Sequence, residues 1–148
     1  MVVFDLGGGT FDVSVLRLTP AEGDEPFFFR VLATRGDTRL GGDDFDHLLV
    51  EAMRREIAAQ LGLDADRTLT LPPSVRRGMV ALAEGVKVRL SEAQTAAVRI
   101  DLGDGRSYER TFGRAEFEAL LAPLVERTIG QCDRAMRDAG VTSSDITR

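Results

Sequence analysis

The chain has 148 residues, of which 43% are hydrophobic, enough for the core of one globular domain. Its net charge of −5 and pI of about 4.9 argue against a nucleic-acid or anionic-membrane surface, since both are negatively charged. No apolar run approaches the ~20 residues that a membrane span needs, and no signal peptide is visible after Met1. A single cysteine, Cys132, leaves no internal disulfide and predicts a cytoplasmic protein.

The first predicted feature is a glycine turn between two strands, in the stretch Asp5-Leu6-Gly7-Gly8-Gly9-Thr10-Phe11-Asp12. Consecutive glycines place no Cβ on the turn, so backbone N–H groups can approach a phosphate closely. Thr10 adds a hydroxyl, while Asp5 and Asp12 add carboxylates that would repel a bare phosphate. A hard cation between them removes that repulsion, and Mg²⁺ is the usual one.

Two well-known glycine motifs do not fit this turn. A Walker loop needs Lys-Ser or Lys-Thr after its glycines, and the dinucleotide fingerprint needs a helix after the turn. The structural alternative is a plain hairpin whose glycines only satisfy turn geometry. Aspartates at both ends of the turn, between two strands, favour the phosphate interpretation over that alternative.

Three strands near the start of the chain predict an antiparallel meander. They are placed near residues 2–5, 11–18 and 27–35, with residues 21–26 as the loop between the last two. A helix is then predicted from Asp43 to about Gly62, with one buried stripe made of Phe45, Leu48, Leu49, Ala52, Met53 and Ile57. Gly41-Gly42, just before it, is either a phosphate-binding helix start or a simple strand-to-helix turn.

The second half of the chain is predicted to alternate helix, hairpin and helix. The break at Leu71-Pro72-Pro73 precedes a helix over residues 74–91, which Ser74 would cap. Hydrophobic alternation on both sides of Gly103-Asp104-Gly105 is typical of a hairpin. A long helix is predicted from Arg114 to Ala139, and Gly140 would end it.

The helix predicted over residues 74–91 has a second, mainly polar face. Glu84, Lys87, Val88 and Ser91 lie at i, i+3, i+4 and i+7, so they share one stripe of the helix surface. Spacing alone favours a solvated face with a Glu–Lys pair. The apolar member of the stripe, Val88, is the residue that this interpretation does not explain.

Three blocks of the sequence resemble the nucleotide-binding domain of the Hsp70 family, in the actin-like ATPase superfamily. Asp5–Asp12 is similar to its second phosphate motif, Val31–Asp46 to the next signature block, and Glu84–Ser91 to its adenosine-side helix. The stretches Ser14–Leu18, Gly42–Leu49 and Leu121–Val125 look closer to the HscA branch, specialised for iron–sulfur cluster assembly, than to the general folding branch, DnaK.

The resemblance implies a site for ATP or ADP with Mg²⁺, and with K⁺ as a further candidate cation. By position in the family motifs, Thr10 and Asp12 would be catalytic, and Asp5 and Asp12 would hold the metal. The nucleotide would contact Gly7, Gly8, Gly9, Thr10, Gly42, Glu84, Lys87, Val88 and Ser91. In that set Glu84 and Lys87 would bond the ribose, Val88 would lie against the adenine, and Ser91 would reach its edge.

The same resemblance implies an α/β fold of the actin-like, ribonuclease-H-like kind. Residues 1–40 and 114–148 would form an incomplete core of lobe II, and residues 41–113 an inserted α+β capping subdomain. The family's first phosphate loop, its catalytic lysine and its last adenosine motif have no counterpart in this chain. The parent protein would therefore be an ATPase, while this chain alone is expected to be inactive.

The parent is expected to be an ATP-driven chaperone. Its partners would be a J-domain co-chaperone and a client protein, an iron–sulfur scaffold if the chain is HscA-like, with no nucleic acid and no membrane. General protein folding of the DnaK type is the alternative within the family. A protein-interaction module that docks co-chaperones or exchange factors is the alternative from another class.

Overall fold

The computed structural model describes residues 1–19, 28–64 and 69–146, so the loop predicted over residues 21–26 lies outside the described residues. The elements are β1 (Val2–Leu6), β2 (Phe11–Thr19), β3 (Phe28–Asp37), α1 (Gly42–Gln60), α2 (Pro73–Glu92), β4 (Thr95–Gly103), β5 (Arg106–Gly113), α3 (Arg114–Ala139) and a short 3₁₀ turn (Ser143–Asp145). Each strand and each helix predicted from the sequence is present in this mixed α/β fold. Within the described residues, no helix is both long and apolar enough to cross a membrane.

The chain folds into two compact units. The first comprises Met1–Gly42 and Pro123–Arg148, and the second comprises Asp43–Ala122. The predicted subdomain boundaries lay at 40/41 and 113/114, so the second of these units extends further into α3 than the predicted capping subdomain. Each unit has its own hydrophobic core.

The first unit contains a three-stranded antiparallel sheet in the order β1-β2-β3, which is the predicted meander. Along β2, Phe11, Val13 and Val15 are buried and alternate with less buried residues, the period of two expected of a half-covered strand. Their side chains form a cluster with Leu40 and with Ala135 of α3. Removing this apolar surface from water, at ~25 cal/mol per Å², is the main stabilisation of the unit.

The core of the second unit lies among α1, α2 and the β4–β5 hairpin. The predicted α1 stripe contributes Leu49, Met53 and Ile57, which are fully buried, whereas Leu48 is only partly buried. The other buried members come from the segment before α2, from α2, from the hairpin and from α3: Leu71, Met79, Ala83, Val86, Leu90, Ala96, Val98, Ile100, Tyr108, Phe112 and Phe117. Facing apolar stripes therefore hold the two helices and the hairpin together.

Residues with positive φ lie at the ends of two helices and in the turn of the β4–β5 hairpin, where the sequence predicts them. Gly62 ends α1 with φ of 65°, and Gly140 ends α3 with φ of 66°. In the hairpin, Asp104 and Gly105 have φ of 54° and 72°, the type I′ combination that matches the twist of the strands.

The predicted cap of α2 is wrong. Pro72 occupies the N-cap position, and no side chain caps the helix there, so Ser74 does not act as the cap. The helix begins at Pro73, where a missing N–H costs nothing because the first amides of a helix have no intrahelical acceptor. The two prolines thus both end the preceding segment and start the helix.

An ion pair joins α3 to the end of β3 in the first unit. Arg127 Nη2 donates to Asp37 Oδ2 at 2.7 Å and to the Arg39 carbonyl at 3.1 Å, while the Arg39 amide donates to Asp37 Oδ1 at 2.9 Å. The Arg39 amide and then the Arg127 guanidinium lower the pKa of the Asp37 carboxyl below its ordinary value of 3.8. Asp37 therefore ties together β3, the segment before α1, and α3.

We predict that Arg127→Met raises the pKa of Asp37 toward 3.8 without restoring it fully, because the Arg39 amide remains. A carboxyl with a lowered folded-state pKa stabilises the fold above its unfolded pKa, and that stability is lost as pH falls through the folded pKa. The stability difference between R127M and wild type should therefore shrink in acid below about pH 3.8. Carboxyl NMR titration and urea unfolding measure both quantities, with the exposed Arg134→Met on the same helix as control. An unchanged Asp37 pKa in R127M would contradict the prediction.

Candidate functional site

The glycine turn closes the β1–β2 hairpin in the first unit. Leu6 and Phe11 are the last paired residues, and the Gly7 amide donates to the Thr10 carbonyl at 2.9 Å. Thr10 Oγ1 lies beside the turn, 3.9 Å from where a Cβ on Gly7 would be. Gly8, Gly9 and Thr10 are exposed, so this is the part of the turn that a ligand can reach.

The segment that begins α1 packs directly against this turn. The Gly42 amide donates to the Gly7 carbonyl at 2.9 Å. A Cβ on Gly41 would stand 2.2 Å from the Gly8 carbonyl oxygen and 2.6 Å from the Gly9 nitrogen, closer than any side chain allows. Both glycines therefore support the turn. For the Gly42 amide the sequence left open a phosphate-binding role and a simple turn, and in the structure this amide donates to a carbonyl of the chain.

Gly36, which sequence reasoning did not single out, makes room for Asp12. It is the β3 partner of Asp12, and a Cβ on it would lie 2.8 Å from Asp12 Oδ1 and 2.6 Å from the Phe11 carbonyl oxygen. Only glycine therefore allows the Asp12 carboxylate to lie over β3 in this position. Glycine inside a strand is a signal of close approach, but the predicted strand ended at residue 35, one residue before Gly36, whereas β3 extends to Asp37.

Asp5 and Asp12 are directly paired across β1 and β2, which places their side chains on one face with Cβ atoms about 4.5–5.5 Å apart. Both residues are exposed. In the part of the chain that the structure describes, no three His, Cys, Asp or Glu side chains form a metal cluster. Two carboxylates fit Mg²⁺, which takes one or two of them and completes its shell with phosphate and water oxygens. The donor set therefore fits a metal–nucleotide complex better than a metal held by protein alone.

The predicted nucleoside face lies on α2, in the second unit. Glu84, Val88 and Ser91 are exposed, and Val88 leaves 58% of its surface in solvent. Ser91 Oγ donates to the Lys87 carbonyl at 3.2 Å. Lys87 is half-buried, and its ammonium pairs with Asp46 of α1, at 2.8 Å from Oδ1 and 2.9 Å from Oδ2. Asp46 is the second residue that sequence reasoning missed, and no local pattern marks it.

A cavity of about 440 Å³ opens beside this face. Its lining includes two of the four predicted nucleoside residues, Lys87 and Ser91, but not Glu84 or Val88. The other lining residues are Phe45, Leu90, Arg114, Phe117, Glu118 and Leu121. Most of these are apolar or have long aliphatic stems, so the cavity combines an apolar wall with a few charged groups, as small-molecule sites usually do.

Comparison with known proteins places the chain in a class. All of it, residues 1–148, matches the family model described as Hsp70 protein, and the chain belongs to the Hsp70 family. Among its curated relatives is a chaperone protein HscA homolog of Shewanella putrefaciens, 44% identical over 146 residues. That match covers 99% of this chain and 21% of the relative.

A second relative of the same name, from Burkholderia pseudomallei, is 45% identical over 144 residues, which are 97% of this chain and 21% of the relative. The chain thus spans about a fifth of the length of these curated relatives. The family match and the names of these relatives agree with the resemblance found in the phosphate motif, the block ending at Asp46, and the α2 face.

We predict that Gly41→Ala lowers the free energy of unfolding by ~1–3 kcal/mol, the usual cost of an overpacked contact. The clash is with backbone atoms of the turn, which cannot rotate away. Gly78→Ala is the matched control, since Gly78 lies in α2 with nothing within 4 Å of its Cβ position. That change should stabilise by up to ~1 kcal/mol. Urea unfolding measures both, and amide shifts at residues 7–10 should move only in G41A; equal stability of G41A and wild type would refute the packing described.

Proposed function

We propose that this chain is the part of an Hsp70-type, ATP-driven chaperone that binds the phosphates, the cation and the nucleoside of ATP or ADP. The observation that carries the proposal is the turn at residues 7–10, supported by Gly41-Gly42 and bordered by the paired carboxylates of Asp5 and Asp12. A hairpin that served only to reverse the chain would need neither the second glycine segment nor paired acids. Family membership supports the same conclusion.

The phosphate end of the nucleotide would bind the exposed part of the turn. The Gly7 amide donates a hydrogen bond to the Thr10 carbonyl, and the Gly42 amide donates one to the Gly7 carbonyl. The role proposed for these two glycines is therefore to stabilise the conformation of the turn. Gly8, Gly9 and Thr10 are the exposed residues, and their backbone and the Thr10 hydroxyl are assigned to the phosphate oxygens. Preorganised donors of this kind stabilise charge that develops during phosphoryl transfer.

Asp12 and Asp5 are assigned to Mg²⁺, which when bound would neutralise phosphate charge and orient the terminal phosphate; K⁺ is a second candidate cation. Asp12 sits on the central strand β2, and its carboxylate lies against Gly36 of β3. A side chain held by a central strand has little freedom, which suits a group that must hold a cation or an attacking water in one place. Thr10 and Asp12 are therefore the proposed catalytic pair.

The nucleoside end would bind the α2 face. Lys87 and Glu84 are assigned to the ribose hydroxyls, Ser91 to the edge of the adenine, and Val88 to its flat face. The observation that supports this assignment is the cavity beside Lys87 and Ser91, together with the exposure of an apolar Val88 on a polar stripe. An adenine covering Val88 would remove this apolar surface from water.

The assignment of subdomains within the fold is also based on the resemblance to the Hsp70 family. Residues 1–40 and 114–148 are assigned to the ribonuclease-H-like core of lobe II, and residues 41–113 to the capping subdomain. Since two curated relatives are HscA homologs, we place the parent in iron–sulfur protein maturation. A J-domain co-chaperone and an iron–sulfur scaffold would then be its partners in the cytoplasm.

In the full-length protein, Thr10→Ala and Asp12→Asn should lower kcat for ATP hydrolysis by at least ~10²-fold, the usual effect of losing one group that acts in the transition state. The dissociation constant for ADP should change by less than about threefold, because neither group acts mainly in the ground state. Steady-state ATPase assays and calorimetry give the two quantities. Thr19→Ala, on the same strand as Asp12 and exposed, is the control. A tenfold weaker ADP affinity with unchanged kcat would reject the catalytic assignment.

The nucleoside assignment predicts a difference between two ligands. Val88→Asp should weaken ADP binding by ~1–2 kcal/mol, because apolar contact is lost and a carboxylate is desolvated. Val88→Arg should keep or tighten binding, since a guanidinium can stack on the base. Pyrophosphate, which has no nucleoside, should bind equally well to wild type and V88D in calorimetry. Equal losses for both ligands, or no loss for either, would mean that the α2 face is only a solvated surface.

A further inference from the structure

Asp46 is a buried carboxylate on α1 of the second unit. Only 7% of its surface is exposed, and it is the one charged or polar side chain in the buried set of the described residues. Its neighbour on the helix, Phe45, packs against the core, which fixes the turn of α1 that carries Asp46. Burying a carboxylate is unfavourable unless charge and hydrogen bonds compensate, so a partner is required.

The compensating charge comes from Lys87. Its Nζ donates to Asp46 Oδ2 at 2.9 Å and lies 2.8 Å from Oδ1, although Oδ1 has no hydrogen bond of good geometry within the described residues. The side chain of Asp46 is 10% exposed and that of Lys87 is 27% exposed. The carboxylate is thus the more deeply buried partner of the pair, and the lysine side chain is the more exposed one.

The two partners line different cavities. Asp46 lines one of about 240 Å³, whereas Lys87 lines the cavity of about 440 Å³ that also contacts Ser91. Lysine has a flexible stem with many rotamers, and an isolated surface lysine samples most of them. Pairing with a buried carboxylate restricts that freedom and fixes the side chain of Lys87, one of the residues that line the larger cavity.

Stability alone does not account for such a pair. A buried ion pair is often no more stabilising than two apolar side chains of the same volume, because desolvation offsets the attraction. The pair does fix one position of one ammonium, which an apolar pair cannot do.

We propose that Asp46 is a positioning residue for nucleoside binding: it holds Lys87 where the ammonium donates to the ribose hydroxyls. This inference rests on the ribose role proposed above for Lys87. Asp46 itself touches no ligand in this proposal. Its effect on binding is transmitted through Lys87, and it should therefore depend both on Lys87 being present and on the ligand having ribose hydroxyls.

The test is a double-mutant cycle in the full-length protein, with ADP and 2′,3′-dideoxy-ADP as ligands in calorimetry. Asp46→Asn and Lys87→Met should each weaken ADP binding by about tenfold, the effect of losing an oriented, charged hydrogen bond. Neither should weaken dideoxy-ADP binding, and the double variant should bind ADP no more weakly than K87M. Glu51→Gln makes the same chemical change on α1 outside this pair and should leave both affinities unchanged.

The possible outcomes distinguish failure of the role proposed for Asp46 from failure of the ribose role proposed for Lys87. If D46N weakens ADP and dideoxy-ADP equally, or adds its full effect to that of K87M, Asp46 serves the fold and the proposal is overturned. If K87M leaves ADP binding unchanged, the ribose role of Lys87 fails and the inference falls with it. Should D46N be unfolded in urea titrations, Asp46→Glu takes its place, with the same ligand selectivity expected because the charge is kept but displaced by a methylene.

Discussion

The site at the start of the chain depends on one steric constraint, the approach of the Gly41 backbone to the Gly8 carbonyl. With a Cβ position only 2.2 Å from that oxygen, no other residue fits at position 41 without moving the turn. The close approach brings the Gly42 amide within 2.9 Å of the Gly7 carbonyl, so the segment leading into α1 and the turn hold each other. The exposed residues 8–10 are therefore held both by this contact and by the β1–β2 hairpin.

Close approach of backbone segments also explains why two glycines of this unit, Gly36 and Gly41, stand at positions without a positive φ. The described glycines with positive φ are Gly62, Gly103, Gly105 and Gly140, all at helix ends or the hairpin turn. Gly36 and Gly41 are not among them; each is needed because a neighbouring strand or turn leaves no space for a Cβ. A glycine can be required because the backbone has a positive φ or because a neighbouring segment leaves no room for a Cβ. At the candidate site of this protein, the lack of room is the reason.

Local patterns in the sequence predicted the elements well because their causes are local. The alternation at Phe11, Val13 and Val15 and the spacing of Leu49, Met53 and Ile57 are set by the geometry of a strand and of a helix, and these residues are buried. The glycine turn with its two aspartates could be singled out in the sequence because all its parts lie within eight consecutive residues. What failed locally was the cap at Ser74, where the rigid ring of Pro73 determined the helix start.

Contacts between residues that are far apart in the chain could not be predicted from local sequence patterns. Lys87 and Asp46 are 41 positions apart, and Arg127 and Asp37 are 90 apart, so no periodicity connects them. Asp46 follows two other aspartates near the start of α1, Asp43 and Asp44, which are less buried. Only packing distinguishes it. Helical spacing alone predicted a pair between Lys87 and Glu84. In the structure, Lys87 forms an ion pair with the buried carboxylate of Asp46 on α1.

The two candidate regions, one in each unit, are therefore stabilised by different interactions. In the first unit, close packing without side chains holds the backbone of the turn, and the carboxylates of Asp5 and Asp12 remain exposed. In the second unit, the buried carboxylate of Asp46 pairs with the ammonium of Lys87. Under the proposed function, the glycine turn would accept any ligand with phosphate oxygens, since every such ligand meets the same backbone. Lys87, held by Asp46, would favour ligands with hydroxyls at one place. Selectivity for the nucleoside would then rest on the buried pair, and affinity for phosphate on the glycines.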